Sequence, residues 1–290
     1  MTIPFSLVVV QFFNSLSFAM LLFLLALGLS LIIGVAHVIN LGHGAFYLLG
    51  AYLGLTGQAL FGSFWVTLIV VPVAVGLLGV AVERLFLRNL YGKPLDQALI
   101  TLGLGFILSD LIRAGYGAGI RSVPPPAALS GPVEVAGFFY PAYQLFVLVL
   151  GLVVFLIARV LLQRTSWGIR IRAVTADADV AASLGIPPAK VSAVVFGVAL
   201  GLAALGGVVG APILALSPGL DAEMTLLALI VVVVGGLGHI EGSFWSAVLV
   251  GLVDGFARLF FPQVALFLIF ALMALVLVIR PQGLLGRATA

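Results

Sequence analysis

Residues Phe5–Ile33 read FSLVVVQFFNSLSFAMLLFLLALGLSLII, an unbroken run with no Lys, Arg, Asp, Glu or His. About 20 apolar residues in a helix cross the roughly 30 Å of hydrocarbon in a bilayer. The run is therefore long enough to span a membrane. A secretory signal needs a basic segment ahead of a shorter apolar one. Here the first Lys or Arg is Arg84, so the stretch reads as a retained first span.

The rest of the chain repeats this pattern. Of 290 residues, 63% are hydrophobic and 8% charged. Soluble domains average about 45–50% apolar and about 25% charged, too different for this composition to cover a water-exposed surface. Further apolar runs lie at roughly 41–61, 64–87, 97–118, 142–162, 190–213, 224–238, 244–261 and 263–280. They are continuous and lack two-residue alternation, which argues for helices over a barrel. The expectation is an all-α polytopic bundle of eight or nine spans, forming one domain over residues 1–290. The run at 224–238 is short for a full crossing. The net charge of +3 forms no basic patch, which excludes nucleic acid as a partner. With no cysteine, disulfides and thiolate chemistry are absent.

Positive residues set the orientation. Arg84, Arg88 and Lys93 share one short connection. Arg159, Arg164, Arg170, Arg172 and Lys190 lie in or beside another, and Arg280 and Arg287 lie at the tail. By the positive-inside rule these are cytoplasmic, leaving Arg113, Arg121 and Arg258 on the far side. The N-terminus is then outside and the C-terminus inside. Two longer connections remain. The outer one, about 119–141, is stiffened by Pro124, Pro125, Pro126, Pro132 and Pro141. The inner one, about 163–189, holds a short helix expected from Thr175 to Leu184. Thr175 or Asp177 would cap its start, Gly185 would end it, and Pro187–Pro188 would bar continuation.

Polar groups within the spans are few. Asp110 and Arg113 are three apart, and Asp254 and Arg258 four apart, so each pair neutralises itself on one helix face. These read as salt bridges near outer helix ends. No lone acid is evident at mid-span, which counts against a proton-driven carrier. The most unusual local sequence is His37-Val-Ile-Asn-Leu-Gly-His-Gly-Ala-Phe-Tyr. Asn40 and His43 would share a helix face that Gly42 and Gly44 weaken, as in a broken transporter helix. Hydrogen bonding to neighbouring helices is the alternative. A metal site lacks a third ligand. Glycine pairs at 50/54, 197/201, 206/210 and 251/255 are spaced for close helix packing. The stretch Leu41–Tyr47 is echoed by Leu237–Trp245. No phosphate loop, nucleophile elbow or zinc-protease signature is present, so no catalytic residue and no cofactor is implied.

Four stretches carry a resemblance. They are Ala26–Gly34 continuing through Val38–Tyr52; Glu83–Arg88 with Leu99–Gly103; Gly168–Val174 through Ala181–Ile186; and Val234–Ser243, with a closing Arg280–Gly286. In this order the chain resembles permease subunits of branched-chain amino acid ATP-binding-cassette importers. The resemblance implies a second, related permease subunit, two cytoplasmic ATPases, an extracytoplasmic substrate-binding protein and a place in the inner membrane. It implies that the inner short helix couples to an ATPase, with Asp179, Ala181, Ala182 and Gly185 on it and Arg170 and Arg172 beside it. Asn40, His43, Tyr47 and Thr101 are candidates for the solute path. Urea, amides or other small solutes are alternative cargoes, and a gradient-driven carrier or channel acting alone is the rival reading.

Overall fold

The computed structural model describes residues 5–135 and 137–286. It contains helices α1 (Phe5–Ala36), α2 (His43–Phe61), α3 (Phe64–Val82), α4 (Pro94–Tyr116), α5 (Ala142–Arg164), α6 (Ser166–Ala176), α7 (Ala178–Ser183), α8 (Pro188–Gly210), α9 (Leu220–Gly235), α10 (Ile240–Phe260) and α11 (Ala265–Ile279). A short antiparallel hairpin, β1 (Pro132–Val135) and β2 (Phe138–Pro141), pairs Val133 with Tyr140 and Glu134 with Phe139. Among the described residues, eight helical stretches are long and apolar enough to cross a membrane. The short apolar segment is α9, whose 16 residues rise about 24 Å.

Helix α1 is the axis of the bundle. From Ala19 to Leu27 its apolar side chains are almost fully enclosed. A helix apolar on every side has no solvent face to offer and belongs at the centre. Helices α5, α8, α9 and α10 pack around it, while α3, α4 and α11 stand outside. Val73, Leu77, Phe106, Ile107, Leu111 and Val278 on these outer helices, and Leu156 on the outer side of α5, are exposed, the belt that lipid would cover.

The glycine pairs each meet a neighbouring helix. Gly50 and Gly54 of α2 lie on Ala204 and Val208 of α8. Gly197 and Gly201 face Pro72 and Gly76 of α3. Gly206 and Gly210 lie under the ring of Tyr47, and Gly251 and Gly255 of α10 lie on Ala19 and Ser15 of α1. Without side chains, the backbones approach closely enough to gain dispersion contact that lipid cannot match.

Two connections break the helical pattern inside the bundle. After Ala36 the chain reverses at His37, whose φ is +52°. It continues as a non-helical segment, and α2 begins at His43. His43 Nε2 lies 3.1 Å from the carbonyl oxygen of Leu25. Leu25 is 11 residues, about 16 Å, from the end of α1, so α2 starts beside the middle of α1. Asn40 and His43 therefore do not share a helix face. Gly42 caps α2 between them, and a Cβ there would collide with α4 at Thr101 and Gly105. The second break, residues 211–219, joins α8 to α9.

One end of the bundle is basic. It gathers Arg84, Arg88, Lys93, Arg164, Arg170, Arg172, Lys190 and Arg280, the connection 236–239 and the C-terminal turn. Gly34 of α1 contacts Gly238 there, and Leu284 N donates to Val234 O. Arg287 lies outside the described residues. The echoed stretches 41–47 and 237–245 both follow a break and open a helix, α2 and α10.

A Cβ built at Gly207 would strike the Tyr47 carbonyl and the Ala51 amide, both backbone. Gly207→Ala is expected to lower the thermal midpoint in detergent by forcing α2 and α8 apart, a loss on the order of 1–3 kcal/mol. Gly103→Ala, with nothing within 4 Å, is expected to leave the midpoint unchanged or slightly raised.

Candidate functional site: a broken-helix junction and a polar cavity

The re-entrant segment is held by side chains that serve backbone. Thr101 Oγ1 of α4 lies 3.0 Å from the Ala98 carbonyl and 3.3 Å from the Ile39 carbonyl, with its one proton for either, and accepts from Leu41 N at 3.2 Å. Asn40 Oδ1 accepts from Gly42 N at 3.1 Å. Amides freed at a helix break must find partners inside the fold, since hydrocarbon offers none.

The N-terminal ends of α2 and α9 meet. Gly44 N of α2 donates to Thr225 Oγ1 of α9 at 2.9 Å, and Thr225 Oγ1 donates to Asp221 O at 2.7 Å. A Cβ at Gly44 would collide with the Asp221 carbonyl. Asp221 Oδ2 accepts from Ser109 Oγ of α4 at 2.6 Å. Two helix starts inside a bundle turn their positive dipole ends toward the same region, a favourable place for anionic groups of a solute. Asn40, His43, Tyr47 and Thr101 are all enclosed here. His43 Nδ1, Tyr47 OH and Asn40 Nδ2 are buried without partners. None of the four lines the large cavity described below. Sequence reading missed Ser109, Asp221 and Thr225. Ser109 and Asp221 are 112 positions apart and Gly44 and Thr225 are 181 apart, and each residue alone looks like an ordinary capping or interfacial one.

Toward the end opposite the basic one, a cavity of about 460 Å³ lies between α1, α9, α10 and the 211–219 connection. Backbone pairing of Arg121 with Leu216 in both directions, each bond 2.9 Å, ties that connection to the loop after α4. Arg258 Nε sits 2.8 and 2.9 Å from the two carboxylate oxygens of buried Asp254. Its Nη2 is 3.4 Å from Glu223 of α9. The i,i+4 pair expected from sequence is thus a three-residue cluster. By contrast, Asp110 and Arg113 make a 3.6 Å surface pair with both side chains exposed, an arrangement worth about 0–1 kcal/mol.

At the basic end, the inner connection forms two helices rather than the expected one from Thr175 to Leu184. Asp177 breaks them apart by adopting extended backbone and capping α7, its Oδ1 accepting from Asp179 N and Val180 N at 2.9 Å. Gly185, with φ +81°, ends α7 as expected. Ala181 turns inward against Val35, Val174, Val191 and Val195. Asp179, Ala182 and Gly185 are exposed, and so are Val180 and Leu184, two apolar neighbours that sequence reading left out. Arg170 lies 5.3 Å over the Trp167 ring, and Arg172 donates to the Leu162 carbonyl, tying α6 to α5. Nearby, Tyr91 OH donates to buried Glu83 at 2.6 Å. Burial, then the Glu83 carboxylate, pushes the Tyr91 phenol above its ordinary range.

A multi-pass membrane bundle whose interior holds broken helices and a polar cavity has the plan of a transport protein. Over residues 11–279 the chain matches the family described as branched-chain amino acid transport system / permease component, and it belongs to that family. It is 26% identical to the high-affinity branched-chain amino acid transport system permease protein BraD of Pseudomonas aeruginosa, covering 96% of this chain and 95% of that one. It is 25% identical to LivH of Escherichia coli, with the same coverage. It is 30% identical to LivM of Salmonella typhimurium over 92% of this chain and 68% of LivM. Among solved structures it is similar to PsaBC from Streptococcus pneumoniae in complex with Fab, at TM-score 0.48 and 13% identity, over 92% of this chain and 89% of that one.

Thr225→Val keeps the shape but strips Gly44 N of its acceptor. A buried amide left unpaired costs about 1–3 kcal/mol, so the detergent-solubilised protein is expected to melt earlier. The exposed Thr175→Val is expected to change stability by less than about 0.5 kcal/mol.

Proposed function

We propose that this chain is a permease subunit of an ATP-binding-cassette importer for branched-chain amino acids, resident in the inner membrane. It pairs with a second, related permease; relatives of both the LivH and the LivM kind support a heteromeric pair. Two ATPases dock at the basic end, which the positive-inside rule assigns to the cytoplasm, and a substrate-binding protein docks at the opposite end. The N-terminus lies outside and the C-terminus inside.

The observation that carries this reading is α7. It is a capped, six-residue helix at the basic end, anchored inward by Ala181 and outward-facing through Val180, Ala182 and Leu184. A short exposed helix with an apolar face, rigidly footed on the core, transmits force from a docked protein without dissipating it in a flexible loop. Its foot reaches α1 and α8 through Val35, Val191 and Val195. ATP-driven movement of the ATPases would shift α7, and with it the helices that frame the broken-helix junction. The free energy of transport then enters as a changed balance between two conformers. Asn40, His43, Tyr47 and Thr101 are the residues of the junction along the solute path. The unpaired polar atoms of Asn40, His43 and Tyr47 give the junction groups that a second conformer can satisfy differently.

A chain without cysteine makes the test direct. With Ala182→Cys, crosslinking in native membranes is expected to capture a nucleotide-binding protein, and a second permease is expected to co-purify. If Ala182→Cys reacts only with soluble reagent and the chain purifies alone, the carrier reading replaces this one. Leu184→Glu is expected to abolish transport-coupled ATP hydrolysis while leaving the melting temperature of the permease in place. His43→Ala is expected to slow uptake about tenfold or more in an assembled complex. Unchanged uptake would remove His43 from the path.

A further inference from the structure

We infer that the groove between α5 and α8, bounded at the basic end by α6, holds an acyl chain of one anionic phospholipid whose headgroup rests on Arg170 and Arg172. This needs only that the chain spans a bilayer, and it stands apart from the importer reading.

The groove is a gap in the bundle. Leu31 of α1 forms its floor, Ile157 and Leu161 of α5 one side, and Val194 and Val198 of α8 the other. Trp167 of α6 lines its end, and no charged side chain lines it anywhere. Ile157, Leu161, Val194 and Val198 are exposed, so the groove opens outward to where lipid lies. Its volume is about 330 Å³. One turn of helix, about 10 Å across and 5.4 Å long, fills about 420 Å³. A neighbouring helix therefore does not seat in the groove, whereas a single methylene chain does.

Apolar contact selects no particular lipid, because lipid tails are as apolar as leucine. The charge at the end of the groove does select. Helix α6 reads SWGIRIRAVTA, with two arginines and no acid. Arg170 lies 5.3 Å over the ring of Trp167, and Arg172 donates to the carbonyl of Leu162, another lining residue. Neither arginine has a carboxylate partner among the described residues. The two acids of the inner connection, Asp177 and Asp179, lie at the start of α7, where Asp177 caps the helix. A Cβ at Gly168 would strike the Leu161 and Leu162 carbonyls, so α6 is pressed onto the end of α5 and holds both arginines there. Tryptophan settles at the headgroup level of a bilayer. An arginine stacked on it lies at the depth of lipid phosphates, which its planar fork of N–H donors suits.

The lipid has a structural consequence. Ile171 lines the groove and also packs against Val35, Val174, Val191 and Val195, the cluster under α7. An occupied groove braces that foot from the membrane side.

The test reads the groove through its own tryptophan. The chain has three, Trp65, Trp167 and Trp245. With Trp65→Phe and Trp245→Phe, only Trp167 reports. The full chain is reconstituted in phosphatidylcholine vesicles that carry either phosphatidylglycerol or phosphatidylcholine with brominated acyl chains, which quench indole fluorescence on contact. Brominated phosphatidylglycerol is expected to quench at about tenfold lower mole fraction than brominated phosphatidylcholine. Arg170→Gln is expected to cut that preference about fivefold, the worth of one cation at an anionic headgroup. It is expected to leave quenching by brominated phosphatidylcholine in place, which a collapsed groove would not do. Equal quenching by the two lipids, or none by either, overturns the inference. The comparison of lipids needs no arginine variant, so a misfolded Arg170→Gln chain does not obscure it. A second measurement weighs the protein as purified from native membranes, with whatever subunits accompany it, by intact mass spectrometry. One retained anionic phospholipid is expected, and its loss in the double variant Arg170→Gln, Arg172→Gln. No retained lipid in the native assembly would mean that a partner protein covers the groove, and would overturn the inference as well.

Discussion

The structure turns on backbone amides and carbonyls that have no water to bond within a membrane. A continuous helix satisfies them internally, and most of this chain takes that solution. At residues 37–42 and 211–219 it does not. Each break is tolerated because particular groups replace the lost helical bonds: Thr101 and Asn40 for the first, the Arg121–Leu216 backbone pair for the second, and Thr225 where α2 meets α9. An unpaired backbone group in hydrocarbon costs several kcal/mol, so these few side chains decide whether the breaks exist at all. The breaks in turn create the polar interior.

Close packing supplies the rigidity around them. Gly28 faces the Ala199 carbonyl, Gly50 faces Ala204, and Gly201 faces the Pro72 carbonyl, so α1, α2 and α3 all bear on α8 through bare backbone. Such surfaces slide or tilt as units rather than deforming side chain by side chain. Helix α8 also receives the foot of α7 at Val191 and Val195. One element therefore touches both the basic end and the junction at mid-bundle, where Tyr47 covers Gly206 and Gly210. This continuity is what the proposed coupling requires of the fold.

Charge is distributed by function rather than evenly. The basic end carries cations on exposed loops, where they are hydrated and contribute chiefly to orientation. The opposite end holds three of its charges in a cluster, with Arg258 between Asp254 and Glu223. Asp254 is 3% exposed, and such a group is stable only when its partner stays in place. Arg258 and Asp254 come from α10 and Glu223 from α9, so the cluster bridges those helices beside the cavity.

Much of this was legible in the sequence, because the bilayer imposes length and composition on each segment independently of the others. The 29 uncharged residues from Phe5 to Ile33, the basic clusters, the glycine pairs and the short helix ended by Gly185 are local facts with local causes. The shortness of α9 was visible too. What the sequence alone did not decide was depth. Asn40 and His43 read as one helix face because their spacing fits 3.6 residues per turn. Only contact with Leu25 and Thr101 shows that the chain has already left the helix and turned back into the bundle. Likewise Asp254 and Arg258 were a pair in sequence, and became a cavity wall only when α9 brought Glu223 alongside. Periodicity records which residues share an element. Which elements begin in mid-membrane, and which distant groups satisfy their open ends, is set by packing between segments far apart in the chain, and that belongs to tertiary structure alone.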